Sequence, residues 1–248
     1  MSQYQIHNQD LAALFTTRTE VAMADIDKFL KERFKINNSK VSYLRYKLVK
    51  DGFLERTGYK TYSIRKNRIV YAPDLNDSIK EIFTTIKEAK PYLNTCVWRT
   101  SILNEFTRHQ VGKFMIMVEV ERIGIEAVFD VLRDKYSNVF LTPTDKEIDF
   151  YISALDEAIV IVPLVSEAPT QVIDGIETVT IEKVLVDILT DDKLYQTFQS
   201  ERSRIIHEAN TKYIINKNTL LRYAGRRKKR EFIEQKIQSV IAQEYIEK

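Results

Sequence analysis

Apolar residues recur at three- and four-residue steps through Ala22, Met23, Ile26, Phe29 and Leu30, which predicts a helix with one buried stripe. Asp25, Asp27, Lys28, Lys31 and Glu32 fall off that stripe. Lys35-Ile36-Asn37-Asn38 breaks the period, and asparagine suits turns and N-caps. A second helix is expected from Asn38 or Ser39, either of which is a candidate cap. At about 100° per residue its Val41, Leu44 and Leu48 share one narrow sector. The opposite sector carries Ser39, Tyr43, Tyr46 and Lys50, with Lys40, Ser42 and Lys47 on its flanks. Arg45 falls nearer the buried sector and reads as structural or as reaching a backbone. Asp51-Gly52 is expected to end the helix, glycine suiting a left-handed terminal residue. Phe53–Thr57 and Lys60–Ile64 then read as two short strands around Gly58-Tyr59.

Helix, turn, helix and basic hairpin is the order of a winged helix-turn-helix, and it points to duplex DNA as a partner. Small hydroxyls near the start of the second helix allow deep entry into a major groove. Tyrosine hydroxyls and lysine amines reach phosphates and base edges. The expected DNA-facing set is Ser39, Lys40, Ser42, Tyr43, Tyr46, Lys47 and Lys50 on the helix, with Arg56, Lys60 and Tyr62 on the hairpin. Arg65, Lys66 and Arg68 add to the basic character of the wing. The plainer alternative is a solvated helix pair and hairpin that binds protein or nothing.

Tyr71-Ala72-Pro73-Asp74 marks the expected boundary, giving a domain over residues 1–72 and an α+β domain over 73–248. In the second domain Leu75, Ile79, Ile82, Phe83 and Ile86 predict a helix running to Lys90-Pro91. Cys96-Val97-Trp98 predicts a short strand, and Thr100 caps a turn of helix to Phe106. Lys113–Glu121 and Ala158–Val165 predict strands, the second β-branched, almost unbroken and therefore buried. A helix over Ile125–Tyr136 and a strand at Val139–Leu141 lie between them. Gln171–Val179 predicts a hairpin turning at Asp174-Gly175. A helix from Ile181 points Val184, Leu185, Ile188 and Leu189 inward. Helices over Leu194–Asn210, Lys217–Gly225 and Lys228–Glu247 complete a helical C-terminal portion. The fold class expected is therefore α+β.

Charge sharpens the division. Residues 1–72 carry 14 Lys and Arg against 7 Asp and Glu, whereas the rest carries 24 against 28. A basic unit beside a slightly acidic one fits DNA at one end and another partner at the other. The single cysteine, Cys96, excludes an internal disulfide, and the start MSQYQIHNQD lacks a signal-peptide pattern, so a cytoplasmic location is expected. No apolar run is long enough to span a bilayer, and no membrane partner is expected.

Candidate chemistry is sparse. His7, His109 and His207 show no metal-ligand spacing, and no phosphate-loop, dinucleotide or nucleophile-elbow motif occurs. No cofactor, metal or catalytic residue is expected, and the chain is read as no enzyme. A nuclease is the enzymatic rival, resting on Glu119 and Glu121, on Asp145, Glu147 and Asp149, and on Lys183 with Asp187. The plainer reading leaves both glutamates outward on a strand and makes Lys183–Asp187 a surface pair. Arg226, Arg227, Lys228, Lys229 and Arg230 form the densest basic cluster. It is placed at the first turn of the last helix, where positive charge opposes the helix dipole, and it would meet nucleic acid or an acidic protein surface.

Three segments resemble a known family. Leu48–Tyr62 is similar to the helix end and wing of AbiEi-type antitoxins, the repressor half of type IV toxin–antitoxin pairs. Val97-Trp98-Arg99-Thr100 is similar to a segment early in that family's second domain, and Gly175–Leu189 to its strand leading into a helix. The wing here, Arg56–Tyr62, lacks the second glycine of the family pattern. The resemblance implies a repressor that binds an inverted repeat in its own operator and neutralises a nucleotidyltransferase toxin. A protein–protein adaptor, or a nuclease targeted by a winged helix, are the alternatives.

Overall fold

The computed structural model describes residues 20–50, 53–64 and 69–244. The expected helix end at Asp51-Gly52 and the basic residues Arg65, Lys66 and Arg68 lie outside the described residues, as does His7. The fold is mixed α+β. Contacts divide the chain into two compact units: the first ends at Val70 and takes in Lys212–Asn218, and the second holds Tyr71–Thr211 and the chain from Thr219.

In the first unit a short strand β1 (Val21–Ala22) leads into α1 (Met23–Phe34), and α2 (Asn38–Lys50) follows. Lys35 closes α1 in a left-handed conformation with φ 50°. The side chain of Asn37, one residue ahead of the expected caps, accepts from the Lys40 N–H at 3.0 Å and so satisfies a free donor of the first turn of α2. β2 (Leu54–Gly58) and β3 (Thr61–Ile64) form an antiparallel hairpin, and β1 pairs with the other edge of β3. The turn is Tyr59-Lys60, one residue later than expected. Gly58 belongs to the strand, where an added Cβ would lie 2.6 Å from Thr61 Oγ1, a close approach only glycine allows. The bonds Ile69 N–H to the Lys212 carbonyl and Ile214 N–H to the Ile69 carbonyl, both 3.0 Å, tie the returning chain to the end of this unit.

One small core joins these elements: Val21, Ile26, Leu30, Val41, Leu44, Leu48, Leu54 and Tyr62. Tyr62 corrects the sequence reading. It was expected on the DNA-facing side of the wing, but it pairs across the sheet with Val21 and its ring is buried. That face of the hairpin packs in one core with Ile26 and Leu30 of α1 and Val41, Leu44 and Leu48 of α2, and β1, too short to leave a periodic signal, adds Val21 beside it.

The second unit begins with α3 (Asp77–Ala89), capped by Asn76, whose side chain accepts from Ile79 N–H at 3.1 Å. β4 (Thr95–Arg99) and β5 (Phe114–Val120) are antiparallel neighbours, joined through a 3-10 turn over Thr100–Phe106. The chain continues through α4 (Ile125–Arg133), β6 (Val139–Leu141), α5 (Asp145–Phe150) and β7 (Glu157–Pro163). The strands form one sheet in the order β4-β5-β7-β6, with β5 and β6 both parallel to β7. A separate hairpin, β8 (Thr170–Ile173) and β9 (Ile176–Val179), turns at Asp174-Gly175 with φ 50° and 80°. Then come α6 (Ile181–Thr190), a 3-10 turn over Gln196–Glu201, α7 (Arg202–Lys212), α8 (Lys217–Arg226) and α9 (Arg230–Glu244).

Strand alternation decides what each face of the large sheet holds. Val97, Ile116, Val118, Val120, Ile159 and Ile161 pack against Ile79, Ile82 and Ile86 of α3 and Val128 and Leu132 of α4. The residues between them, among them Cys96, Trp98, Met117, Glu119 and Val160, point to the opposite face and are buried too. Both faces of the sheet are therefore covered, as parallel strands require. This overturns the expectation that Glu119 looks outward to solvent.

Ile82 is 2 % exposed whereas Ile123 is 90 % exposed. Ile82→Ala is expected to cost about 2–5 kcal/mol, and Ile123→Ala to stay within about 0.5 kcal/mol. Urea denaturation followed through the fluorescence of Trp98 measures both.

Candidate functional site

Two places in the chain concentrate polar chemistry, one in each unit. The first is the outer face of α2. Val41, Leu44 and Leu48 fill the small core, so the helix turns Ser39, Lys40, Ser42 and Lys50 to solvent. Tyr43 and Tyr46 lie on the same outer face, 63 % and 62 % exposed. Lys47 is half-buried on the flank and engaged with the protein. Arg45 is tied down by an ion pair with Asp27 of α1, in agreement with its structural reading. No acidic residue stands in the first turn of α2, while Lys47 and Lys50 occupy its last turn. At the hairpin tip Lys60 sits 5.1 Å from the ring centroid of Tyr59, and both are exposed. Arg56 is also exposed, its Nε donating to the Gly58 carbonyl at 3.1 Å.

The cluster Arg226–Arg230 is not one surface patch at a helix start. Arg226 ends α8, where positive charge is favoured by the helix dipole, and pairs with Glu167. Arg227 turns inward and donates to Thr190 Oγ1 at 2.9 and 3.1 Å. Lys228, with φ 56°, makes the bend. The Lys229 N–H caps the Ala224 carbonyl at 2.9 Å, and Arg230 opens α9. The sequence reading missed that the helix break falls within the cluster.

The second place is a buried charge cluster between β5, α6 and α8. Lys183 Nζ donates to Glu119 Oε1 at 2.6 Å and to Asp187 Oδ2 at 2.5 Å, and the lysine side chain is fully buried. The Trp98 indole N–H donates to the same Glu119 Oε1 at 2.9 Å, and the Tyr223 hydroxyl donates to Asp187 Oδ1 at 2.7 Å. Arg227 Nε stands 3.9 Å from Asp187 Oδ1, so two cations face two carboxylates. Burial alone would push the Lys183 ammonium down, but the charges of Asp187 and Glu119 outweigh it and hold its pKa above the lysine range. Burial pushes Glu119 above the usual carboxylate range, assisted by Asp187 and opposed by Lys183. The expected surface pair Lys183–Asp187 is thus an interior one. All of α6 from Ile181 to Leu189 is buried, so it has no solvated face to offer. The signal lay in Val186, an apolar residue between the two charges on their own side of the helix.

Above this cluster opens a cleft of about 680 Å³, lined by residues of the second unit alone. Glu119, Asp187 and Tyr195 line its floor, and Tyr195 stacks on Trp98 with ring centroids 6.0 Å apart. Arg122, Lys193, Arg226 and Arg227 bring positive charge to it. Of the remaining acids of the nuclease reading, Asp145 also lines the cleft, whereas the others are engaged elsewhere. Glu147 closes the capping box of α5 with Thr144, Asp149 pairs with Lys193 at 2.8 Å, and Glu121 accepts from Asn94. Among the described residues no group of three His, Cys, Asp or Glu is placed to hold a metal ion.

The chain belongs to DUF6577, a family of unknown function whose profile matches residues 40–243, from the first turn of α2 through α9. Comparison with curated proteins gives no match.

A folded-state pKa raised above the unfolded value means that Lys183 stabilises the fold fully below the ordinary lysine range, and that this contribution is lost as pH rises through the raised value. Lys183→Met is expected to lower stability by about 3–5 kcal/mol near neutrality, because it strands two buried carboxylates. The gap to the wild type should narrow above pH ~10. Urea titrations of both proteins at neutral and alkaline pH measure it, and a gap that widens with pH contradicts the assignment.

Proposed function

Within this family of unknown function, we propose that the first unit is a winged helix-turn-helix that binds duplex DNA, with α2 as its reading helix. The observation that carries the proposal is the exposure of two tyrosines, Tyr43 and Tyr46, beside Ser39, Ser42 and Lys50 on the face opposite the buried stripe. Among the described residues neither tyrosine hydroxyl has a partner, so both are free to reach phosphates or base edges. The tip of the hairpin presents Arg56 and Lys60 for backbone contact, and the charge excess of residues 1–72 supplies the attraction to phosphate.

The biological reading is a transcriptional repressor resembling an AbiEi-type antitoxin. The first unit holds an inverted repeat in the promoter of its own operon, two copies of the chain engaging two half-sites. The second unit neutralises a nucleotidyltransferase toxin encoded beside it. Finding a neighbouring reading frame with a Gly-Ser turn and paired aspartates on a strand would support that reading, and its absence would count against it.

A mobility-shift titration on the promoter DNA tests the reading helix. The double variant Tyr43→Ala/Tyr46→Ala is expected to bind at least about tenfold more weakly, since a direct contact to a base edge is worth about 1–3 kcal/mol. Its stability should change by no more than about 1 kcal/mol, because both rings are exposed. Unchanged affinity removes α2 as the reader. A tight complex with the neighbour-encoded protein, without DNA affinity, shows an adaptor instead.

A further inference from the structure

We infer that the cleft of the second unit binds a nucleotide whose base carries an exocyclic amine. This goes beyond the DNA-binding reading and rests on different residues.

The floor of the cleft offers unused hydrogen-bonding atoms on side chains that are almost wholly buried. Glu119 is 4 % exposed, and its Oε1 accepts from both Trp98 and Lys183. Its other oxygen, Oε2, accepts nothing from the described residues. Tyr195 is 3 % exposed, stacks on Trp98 and lines the same cleft, yet its hydroxyl has no partner among the described residues. Unpartnered polar atoms on otherwise buried side chains that line a cavity are positions a ligand can complete. The two atoms differ in kind. A carboxylate oxygen asks for a donor, and a phenol supplies one donor and accepts another. An amino-heterocycle meets both demands, its amine giving to Glu119 Oε2 and a ring nitrogen accepting from Tyr195. Only one carboxylate oxygen is open, so a single amine satisfies it, and adenine, guanine and cytosine all carry one.

The rest of the cleft fits the remainder of such a ligand. Met117, Ile148, Val162 and Leu164 give it apolar walls suited to a flat ring. Arg122 is exposed at the rim and makes no ion pair with the described residues, so its guanidinium is available to a phosphate. Arg226 and Lys193 also line the cleft, although each already holds a carboxylate. The position within the fold agrees. Arg122, Thr142 and Leu164 follow the ends of β5, β6 and β7, so the cleft lies at the carboxyl edge of the parallel strands, where open α/β sheets bind their ligands. The volume of about 680 Å³ suits a molecule of nucleotide size.

The full chain carries one tryptophan, and Trp98 touches both Glu119 and Tyr195, so its fluorescence reports directly on the floor of the cleft. The test titrates the full chain with AMP, GMP, CMP, UMP and inorganic phosphate, following Trp98 fluorescence and checking by equilibrium dialysis. At least one of AMP, GMP and CMP is expected to bind saturably and at least tenfold more tightly than UMP or phosphate. Tyr195→Phe keeps the stacked ring and removes only a hydroxyl without a partner. It should leave urea stability unchanged and weaken the nucleotide about tenfold. Arg122→Ala, at an exposed position, should weaken the nucleotide but not the corresponding nucleoside. No saturable binding below millimolar concentrations overturns the inference. So does equal binding of UMP, or nucleotide affinity unchanged in both variants.

Discussion

A lysine ammonium with no access to water is the constraint on which the second unit depends. Lys183 gives up its hydration entirely, and the loss is tolerable only because Glu119 and Asp187 receive it at 2.6 and 2.5 Å. Each carboxylate is in turn held by a neutral donor, Trp98 for one and Tyr223 for the other. Four elements, β4, β5, α6 and α8, therefore meet at one charge. A hydrophobic contact tolerates sliding; this arrangement fixes the depth and rotation of α6 against the sheet to within hydrogen-bond tolerance. The same geometry leaves one glutamate oxygen and one tyrosine hydroxyl without a partner among the described residues, so what holds the fold together also shapes the cleft that both residues line.

The amphipathic parts of the chain were legible in its sequence. The strands of the large sheet follow from short β-branched apolar runs, and the stripes of α1 and α2 and the break at Lys35–Asn37 follow from spacing, because each helix divides apolar from polar positions. What escaped were elements that do not divide them. β1 is too short to have a period, and Tyr62 beside it lies on the sheet face that joins the helices in the core. α6 is buried on all sides, so its charged residues look like a solvated face until Val186 is weighed with them. Glu119 alternates correctly along β5, but alternation means exposure only where one face of a sheet is open. The stretch Arg226–Arg230 reads as one basic patch in the sequence, whereas a bend at Lys228 divides it among different tasks.

The two units present different kinds of surface. The first is basic: exposed tyrosines, serines and lysines on one helix face, with cations on the hairpin. That surface suits a long, regularly charged partner. The second gathers its polar groups into a cleft of bounded volume with a balanced set of charges, which suits a small molecule. The DNA-binding proposal and the nucleotide proposal therefore rest on separate sets of residues, and each can fail without the other.

Recognition of DNA by the first unit is the central claim, and its ionic-strength dependence addresses it most directly. Binding of the full chain to its promoter fragment, measured over a series of salt concentrations, should give a log affinity that falls linearly with log salt concentration. Replacing Lys40 and Lys60 together by alanine should make that slope shallower by about one to two units. An affinity that does not change with salt, or a slope unmoved by the two substitutions, would contradict the account.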